Sequence, residues 1–130
     1  MSLRSFITSR ISSFGHAFRG WFYVMHTQQN AWIHATVSTI IFAICFWVGI
    51  PPRDWAVIIL ATALVFSAEF VNTSIEAVVD LASPSKHPLA KVGKDVGAAA
   101  VLVAASAAFL IGLLILGPPL LLKLNQLFVK

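Results

Sequence analysis

What most constrains this chain is where its charges are missing. Between Arg19 and Arg53 lie 33 positions without Asp, Glu, Lys or Arg, between Asp54 and Glu69 lie 14, and between Asp95 and Lys123 lie 27. A hydrocarbon core of about 30 Å is crossed by ~20 apolar residues in a helix. The first gap therefore predicts a membrane helix over 32–50, closed by Gly49 and Pro51-Pro52. The third predicts one over 90–117, closed by Gly117 and Pro118-Pro119. The middle gap is too short, so a helix over 55–80 must run on through Glu69, Asn72 and Glu76 and carry acids into the membrane or to its edge. Composition agrees: 58% of the residues are apolar and 11% charged, against roughly 45–50% and about 25% in soluble domains. A soluble globular enzyme is excluded, and 130 residues leave room for one domain, 1–130.

The segment ahead of the first span differs. Leu3, Ile7, Ile11, Phe14, Phe18, Trp21 and Met25 recur every three or four positions, while Ser5, Ser9, Ser12, Ser13 and His16 fall largely opposite. This predicts an amphipathic helix over about 2–25, lying in the membrane interface, with Gly15 and Gly20 as its expected break points. A cleavable signal peptide is rejected, because neither a continuous apolar core nor a small-residue cleavage site is found there. The expected fold class is an all-α membrane protein: one surface helix and three transmembrane helices. Arg4, Arg10, Arg19, Lys86, Lys91 and Lys94 then share one side of the membrane, and Arg53, Lys123 and Lys130 the other. That imbalance places the N-terminus and the acidic end of the second span in the cytoplasm. Trp21, Trp32, Trp47 and Trp55 stand near span ends, as aromatic belts do. The net charge of +4 suits an anionic leaflet; the basic residues are too few and scattered for nucleic acid. Cys45, the single cysteine, has no partner for an internal disulfide.

The acids of the second span are ordered. At about 100° per residue, Asn72, Thr73, Glu76 and Asp80 point roughly −60°, +40°, −20° and +20° from Glu69, so all lie on one stripe ~16 Å long. A charge at the bilayer centre costs roughly 2.5–3.5 kcal/mol on insertion scales. Such a stripe needs a cation, a protein neighbour or a water-filled cleft. Salt bridges to Lys91 and Lys94 would satisfy it structurally. The functional reading is a carboxylate site for a hard divalent cation, with one acid free for proton transfer; the spacing does not separate ligand from base.

A second group follows the loop. Pro84 and Pro88 bracket Ser85, Lys86 and His87, and Pro88 suits a first helical turn. Lys91 and Asp95 stand at i,i+4, and Lys94 precedes the long apolar run beside Asp95. Lysines at a helix start facing an acidic stripe suit polyphosphate; for Lys86 the plainer reading is positive-inside anchoring. The third span is rich in Gly and Ala, with Gly93 and Gly97 as a small-xxx-small pair that lets two helices approach. His34, a turn after Asn30, reads as a polar contact rather than a ligand. No zinc-type His/Cys cluster, Ser/His/Asp set or phosphate-binding glycine loop is found.

The run Glu69-Phe-Val-Asn72-Thr-Ser-Ile-Glu76-Ala-Val-Val-Asp80 resembles the signature of the prokaryotic diacylglycerol kinase and undecaprenol kinase family, small integral-membrane lipid kinases. The resemblance takes in His87-Pro-Leu-Ala-Lys91-Val-Gly-Lys94-Asp95, and also Phe14, Ala17, Gly20, Asn30 and His34, covering about 14–118. It implies a homotrimer in the bacterial inner membrane, with the active site at the cytoplasmic face, that uses ATP and Mg²⁺ to phosphorylate a lipid alcohol. By position, Glu69 resembles the catalytic base and Asn72 its support. Glu76 resembles a metal ligand at the nucleotide, Lys94 and Asp95 the nucleotide-binding pair, and Lys86 and His87 the loop that touches the nucleotide. One departure stands out: Gln28 replaces a Glu that joins the metal in many members, leaving only a neutral carbonyl oxygen. Trp32 likewise stands where members resembling undecaprenol kinase often have Arg. The form of 87–91 resembles members that act on undecaprenol. A diacylglycerol kinase is the alternative within the class, and a non-catalytic membrane interaction protein the alternative outside it.

Overall fold

A computed structural model describes residues 3–128 as four helices: α1 (Leu3–Thr27), α2 (Gln29–Val48), α3 (Pro52–Ala82) and α4 (Pro88–Phe128). The expected start of the first helix at residue 2 lies outside the described residues, as does Lys130. The helices α2, α3 and α4 are each long and apolar enough to cross a membrane.

Helix α1 runs unbroken through Gly15 and Gly20, contrary to expectation. Glycine in a helix costs only about 1 kcal/mol relative to alanine, and side chains bridge the first site. His16 meets Ser12 at 3.3 Å, and Arg19 Nη2 donates to His16 Nδ1 at 2.6 Å. The apolar face of α1 is uncovered, with Leu3, Ile11, Phe14 and Phe18 exposed and Val24 alone buried. That is the arrangement expected of a helix whose apolar face meets lipid.

One extended residue, Gln28, separates α1 from α2, and its N–H still reaches Val24 O at 2.9 Å. The far end of α2 stops as the sequence predicts. Gly49 takes the left-handed conformation (φ 78°) that only glycine adopts freely, and Pro52 opens α3 where no backbone donor is needed.

Helix α4 does not end at Pro118-Pro119, where the sequence predicts a stop. It continues to Phe128, 41 residues in all. Each proline removes one donor to the carbonyl four residues earlier. Two in succession concentrate that loss at Leu114 and Ile115, on a single turn. The leucines and polar helix formers that follow, 120–127, restore the ladder.

Two contacts hold α2, α3 and α4 together. Near the α2–α3 turn, Cys45, Ile50, Ile58 and Leu116 form a buried cluster, flanked by the Phe42–Trp55 ring pair at 6.0 Å. Toward the other end α3 and α4 lie close, as the glycine pair predicts. A Cβ on Gly93 would touch Val79 Cγ2 at 3.7 Å, and one on Gly97 would collide with the Asn72 amide oxygen. Leu116→Ala is expected to lower the midpoint of thermal unfolding in detergent. The cost should fall below the ~2–5 kcal/mol of a water-soluble core, because lipid tails are as apolar as the cluster and only lost packing remains. Calorimetry or circular dichroism of the purified variant measures it.

Candidate functional site

The stripe predicted on the second span is real, and its burial is graded. Glu69 is 1% exposed, Asn72 and Thr73 are buried, Glu76 is half-buried and Asp80 is exposed. Helix α3 explains the gradient. At ~1.5 Å per residue, a 30 Å slab counted from Trp55 ends near Ser74. Glu69 then sits inside the apolar layer, Glu76 at its edge and Asp80 in water.

At the deep end, neither carboxylate oxygen of Glu69 has a hydrogen-bond partner among the described residues. Its backbone is pinned: Thr73 Oγ1 donates to Glu69 O at 2.9 Å. Its neighbours along α3, Phe66 and Phe70, carry a cluster of rings. Trp21 of α1 stacks on Phe66 at 5.8 Å and meets Phe70 edge-on at 5.1 Å; His34 of α2 meets Phe66 at 6.4 Å. Trp21 therefore docks α1 onto α3, a packing role in addition to the belt position read from sequence. His34 Nε2 is buried without a partner, and the ring lies within electrostatic reach of Glu69. Its expected polar contact is thus unmade among the described residues.

One turn up, Asn72 Nδ2 donates to Glu76 Oε1 at 3.3 Å, while Asn72 Oδ1 is buried and unpaired. Gly97 of α4 faces this amide. Glu76 Oε2 carries no hydrogen bond among the described residues. At the water end, Lys94 Nζ donates to Asp80 Oδ1 at 2.7 Å and Oδ2 at 3.0 Å. The i,i+4 pair read from sequence, Lys91 and Asp95, stands apart from it. Adjacent residues on a helix point about 100° apart, so Lys94 faces α3 while Asp95 turns away to Lys91, 3.9 Å distant. The Asp80–Lys94 pair is also the structural salt bridge that the sequence allowed for.

The structure thus brings Glu69, Asn72, Glu76 and Lys94 to one face of the α3–α4 pair. Lys86 and His87 lie in the exposed connection between these helices. There the His87 ring caps α4, its Nδ1 accepting from Leu89 N at 3.2 Å. Gln28 is half-buried at the α1–α2 junction, and its side chain makes no hydrogen bond to Glu76 among the described residues. Nor do three His, Cys, Asp or Glu side chains converge there as ligands. One carboxylate with a free oxygen suits a cation such as Mg²⁺, which usually takes one or two carboxylates and completes its shell with phosphate oxygens and water.

Comparison with known proteins agrees with this arrangement. The family model described as prokaryotic diacylglycerol kinase matches residues 15–116. An undecaprenol kinase of Bacillus subtilis is 41% identical over 108 residues, covering 83% of this chain and 88% of its own. A diacylglycerol kinase of Synechocystis is 40% identical over 110 residues, covering 84% of this chain and 63% of its own. The diacylglycerol kinase of Escherichia coli K12 is 38% identical over 61 residues, covering 47% of this chain and 50% of its own.

Gly97→Ala is expected to turn the Asn72 amide off Glu76 and to cost about 1–3 kcal/mol through overpacking, with the helix content kept. Side-chain amide resonances of Asn72, recorded beside the unfolding midpoint, report both effects.

Proposed function

Because the chain belongs to the prokaryotic diacylglycerol kinase family and is an all-α membrane protein and a lipid kinase, we propose that it transfers the γ-phosphoryl group of ATP to undecaprenol. The observation that carries the chemistry is the buried, unpaired Glu69 carboxylate on the same helix face as Asn72 and Glu76. The choice of acceptor rests on the likeness to the undecaprenol kinase of B. subtilis, which extends over most of both chains. Diacylglycerol is the second reading, favoured by the likeness to the Synechocystis diacylglycerol kinase.

In this reading Glu69 is the base. It accepts the proton of the lipid hydroxyl as that oxygen attacks the γ-phosphorus; the bond to the β–γ bridging oxygen breaks and ADP leaves. Asn72 holds Glu76 in place. Glu76, with Gln28 or water beside it, would hold Mg²⁺, which when bound neutralises phosphate charge. Lys94 exchanges its Asp80 partner for phosphate oxygens, and Asp95, Lys86 and His87 flank the nucleotide. Positioning and electrostatics supply most of the acceleration in such transfers. The chain acts as a single domain over 1–130. It works as a homotrimer in the inner membrane, with the N-terminus and site cytoplasmic. The uncovered apolar face of α1 and the six basic residues assigned to that side support the cytoplasmic N-terminus, while the trimer and the inner membrane follow the family resemblance.

Reconstituted protein given labelled ATP, undecaprenol and diacylglycerol side by side is expected to label undecaprenol faster; faster labelling of diacylglycerol reverses the choice. Glu69→Gln is expected to lower turnover at least ~10³-fold while ATP still binds; the general-base share alone is about 10²–10⁴-fold. Retained turnover removes Glu69 as base. Gln28→Glu is expected to lower the Mg²⁺ concentration needed for half-maximal rate, and an unchanged titration takes position 28 out of the metal site.

A further inference from the structure

The first turn of α4 hangs on one residue. His87 stands at the N-cap, and its carbonyl accepts the first backbone bond of the helix, from Lys91 N at 3.1 Å. Its ring takes the next free donor, Nδ1 accepting from Leu89 N at 3.2 Å. Pro88, between them, has no N–H to satisfy. The connection that leads to the cap carries short bonds of its own. Ser83 N donates to Val79 O and Ser83 Oγ to Ser85 O, both at 2.9 Å.

Histidine is an unusual choice for this place. Helix caps are drawn chiefly from Asn, Asp, Ser and Thr, whose side-chain oxygens accept throughout the neutral range. An imidazole accepts only at a ring nitrogen that carries no proton. The bond to Leu89 therefore requires the neutral ring, with its proton on Nε2. A second proton, on Nδ1, turns the acceptor into a donor and sets it against the Leu89 N–H. It also adds positive charge at the positive end of the α4 dipole. The surrounding charges do not offset this. Lys86 precedes the ring, and Lys91, one turn on, is paired with Asp95 at 3.9 Å. On α3, Asp80 is engaged by Lys94 and Glu76 by Asn72, and α1 does not pack on α4. No carboxylate forms a salt bridge with His87 among the described residues. The residue is exposed, so protons from water reach the ring.

The cap bears on the site through two lysines. Lys91 is the residue whose amide closes the first turn. Along an α-helix each amide donates four residues back, so Lys94 N hangs on Ala90 O, inside that turn. When the turn frays, Lys91 leaves the helix and Lys94 loses the carbonyl that keeps it directed at α3. We propose that His87 is a proton-operated cap. Neutral, it holds the first turn of α4 and with it Lys91 and Lys94; protonated, it releases them and weakens nucleotide binding. The inference rests on the nucleotide reading above and adds to it a positioning residue and a pH response. His87 acts through the helix it starts, not by contact with the reacting atoms.

The full chain in nanodiscs, isotope-labelled and without nucleotide, is followed by NMR from about pH 7.5 to about pH 5.5, the range over which histidines take up a proton. The His87 ring is expected in the Nε2–H form at the upper end. Protection of the Leu89 amide, corrected for the intrinsic pH dependence of exchange, is expected to fall about fivefold as the ring titrates, the factor that one typical cap contributes. In His87→Asn, whose amide oxygen accepts but does not titrate, protection should not change with pH. A neutral ring protonated on Nδ1, or Leu89 protection that ignores the ring, overturns the cap.

Kinetics separate the cap from a direct contact. The terminal phosphate of ATP also takes up a proton in this range, so wild type is compared with His87→Asn at each pH. The ratio of their KM values for ATP, wild type over variant, is expected to rise severalfold on acidification. KM in His87→Ala is expected to exceed that in His87→Asn at both ends of the range. Equal KM values in the Ala and Asn variants, or a ratio that does not move with pH, overturn the positioning role. Leu89 protection that follows the ring in a protein that binds no ATP by calorimetry defeats the nucleotide reading and leaves the cap standing. ATP binding beside a pH-independent Leu89 amide does the reverse.

Discussion

The close approach of α3 and α4 at Gly97 sets the rest of the site. Lipid tails are as apolar as leucine, so helices in a membrane gain little from hydrophobic association and rely on packing and polar contacts. Here a missing side chain lets the α4 backbone rest against the Asn72 amide. That contact fixes the register from which other pairings follow. Gly93, one turn earlier on α4, meets Val79, and Lys94, beside it, meets Asp80. Asn72, confined from the α4 side, points its amide nitrogen at Glu76. A different register would leave Lys94 opposite an apolar turn and the stripe without its cation.

The same register explains how one helix face holds three acids near a membrane. Asp80 is exposed and paired, Glu76 is half-buried with one oxygen bonded, and Glu69 is buried and unpaired among the described residues. The cost of burying a carboxylate is concentrated on one residue rather than spread over all three. Trp21 of α1 and His34 of α2 both pack on Phe66, one turn before Glu69 on α3, so the first helix is tied to the deep end of the stripe through Trp21.

Much of this was legible in the sequence because its signals are local. Charge gaps located the spans, the 100° rule placed Glu69, Asn72 and Glu76 on one face, and Gly93 and Gly97 marked the helix contact. Misreadings arose where a local rule met a longer-range effect. Pro118-Pro119 reads as a stop, yet the residues beyond carry the helix on. Gly15 and Gly20 read as break points, yet α1 runs through both. His34 reads as a polar contact, yet its Nε2 is buried without a hydrogen-bond partner among the described residues. The place of Gln28 beside a metal rests on resemblance alone, and its side chain makes no hydrogen bond to Glu76 among the described residues.

The depth of Glu69 has a consequence for what the protein avoids. Water is the competing acceptor in any phosphoryl transfer, and near a nucleotide it is far more abundant than any lipid. A carboxylate that is 1% exposed, below the polar edge of its own helix, is screened from that competitor. On the role proposed for Glu69, only an alcohol delivered from the lipid side reaches it, because closed sites suppress hydrolysis by excluding water. Burial then acts as a filter on nucleophiles. On that role, the desolvation cost of one side chain is what keeps bound ATP from hydrolysis at the site.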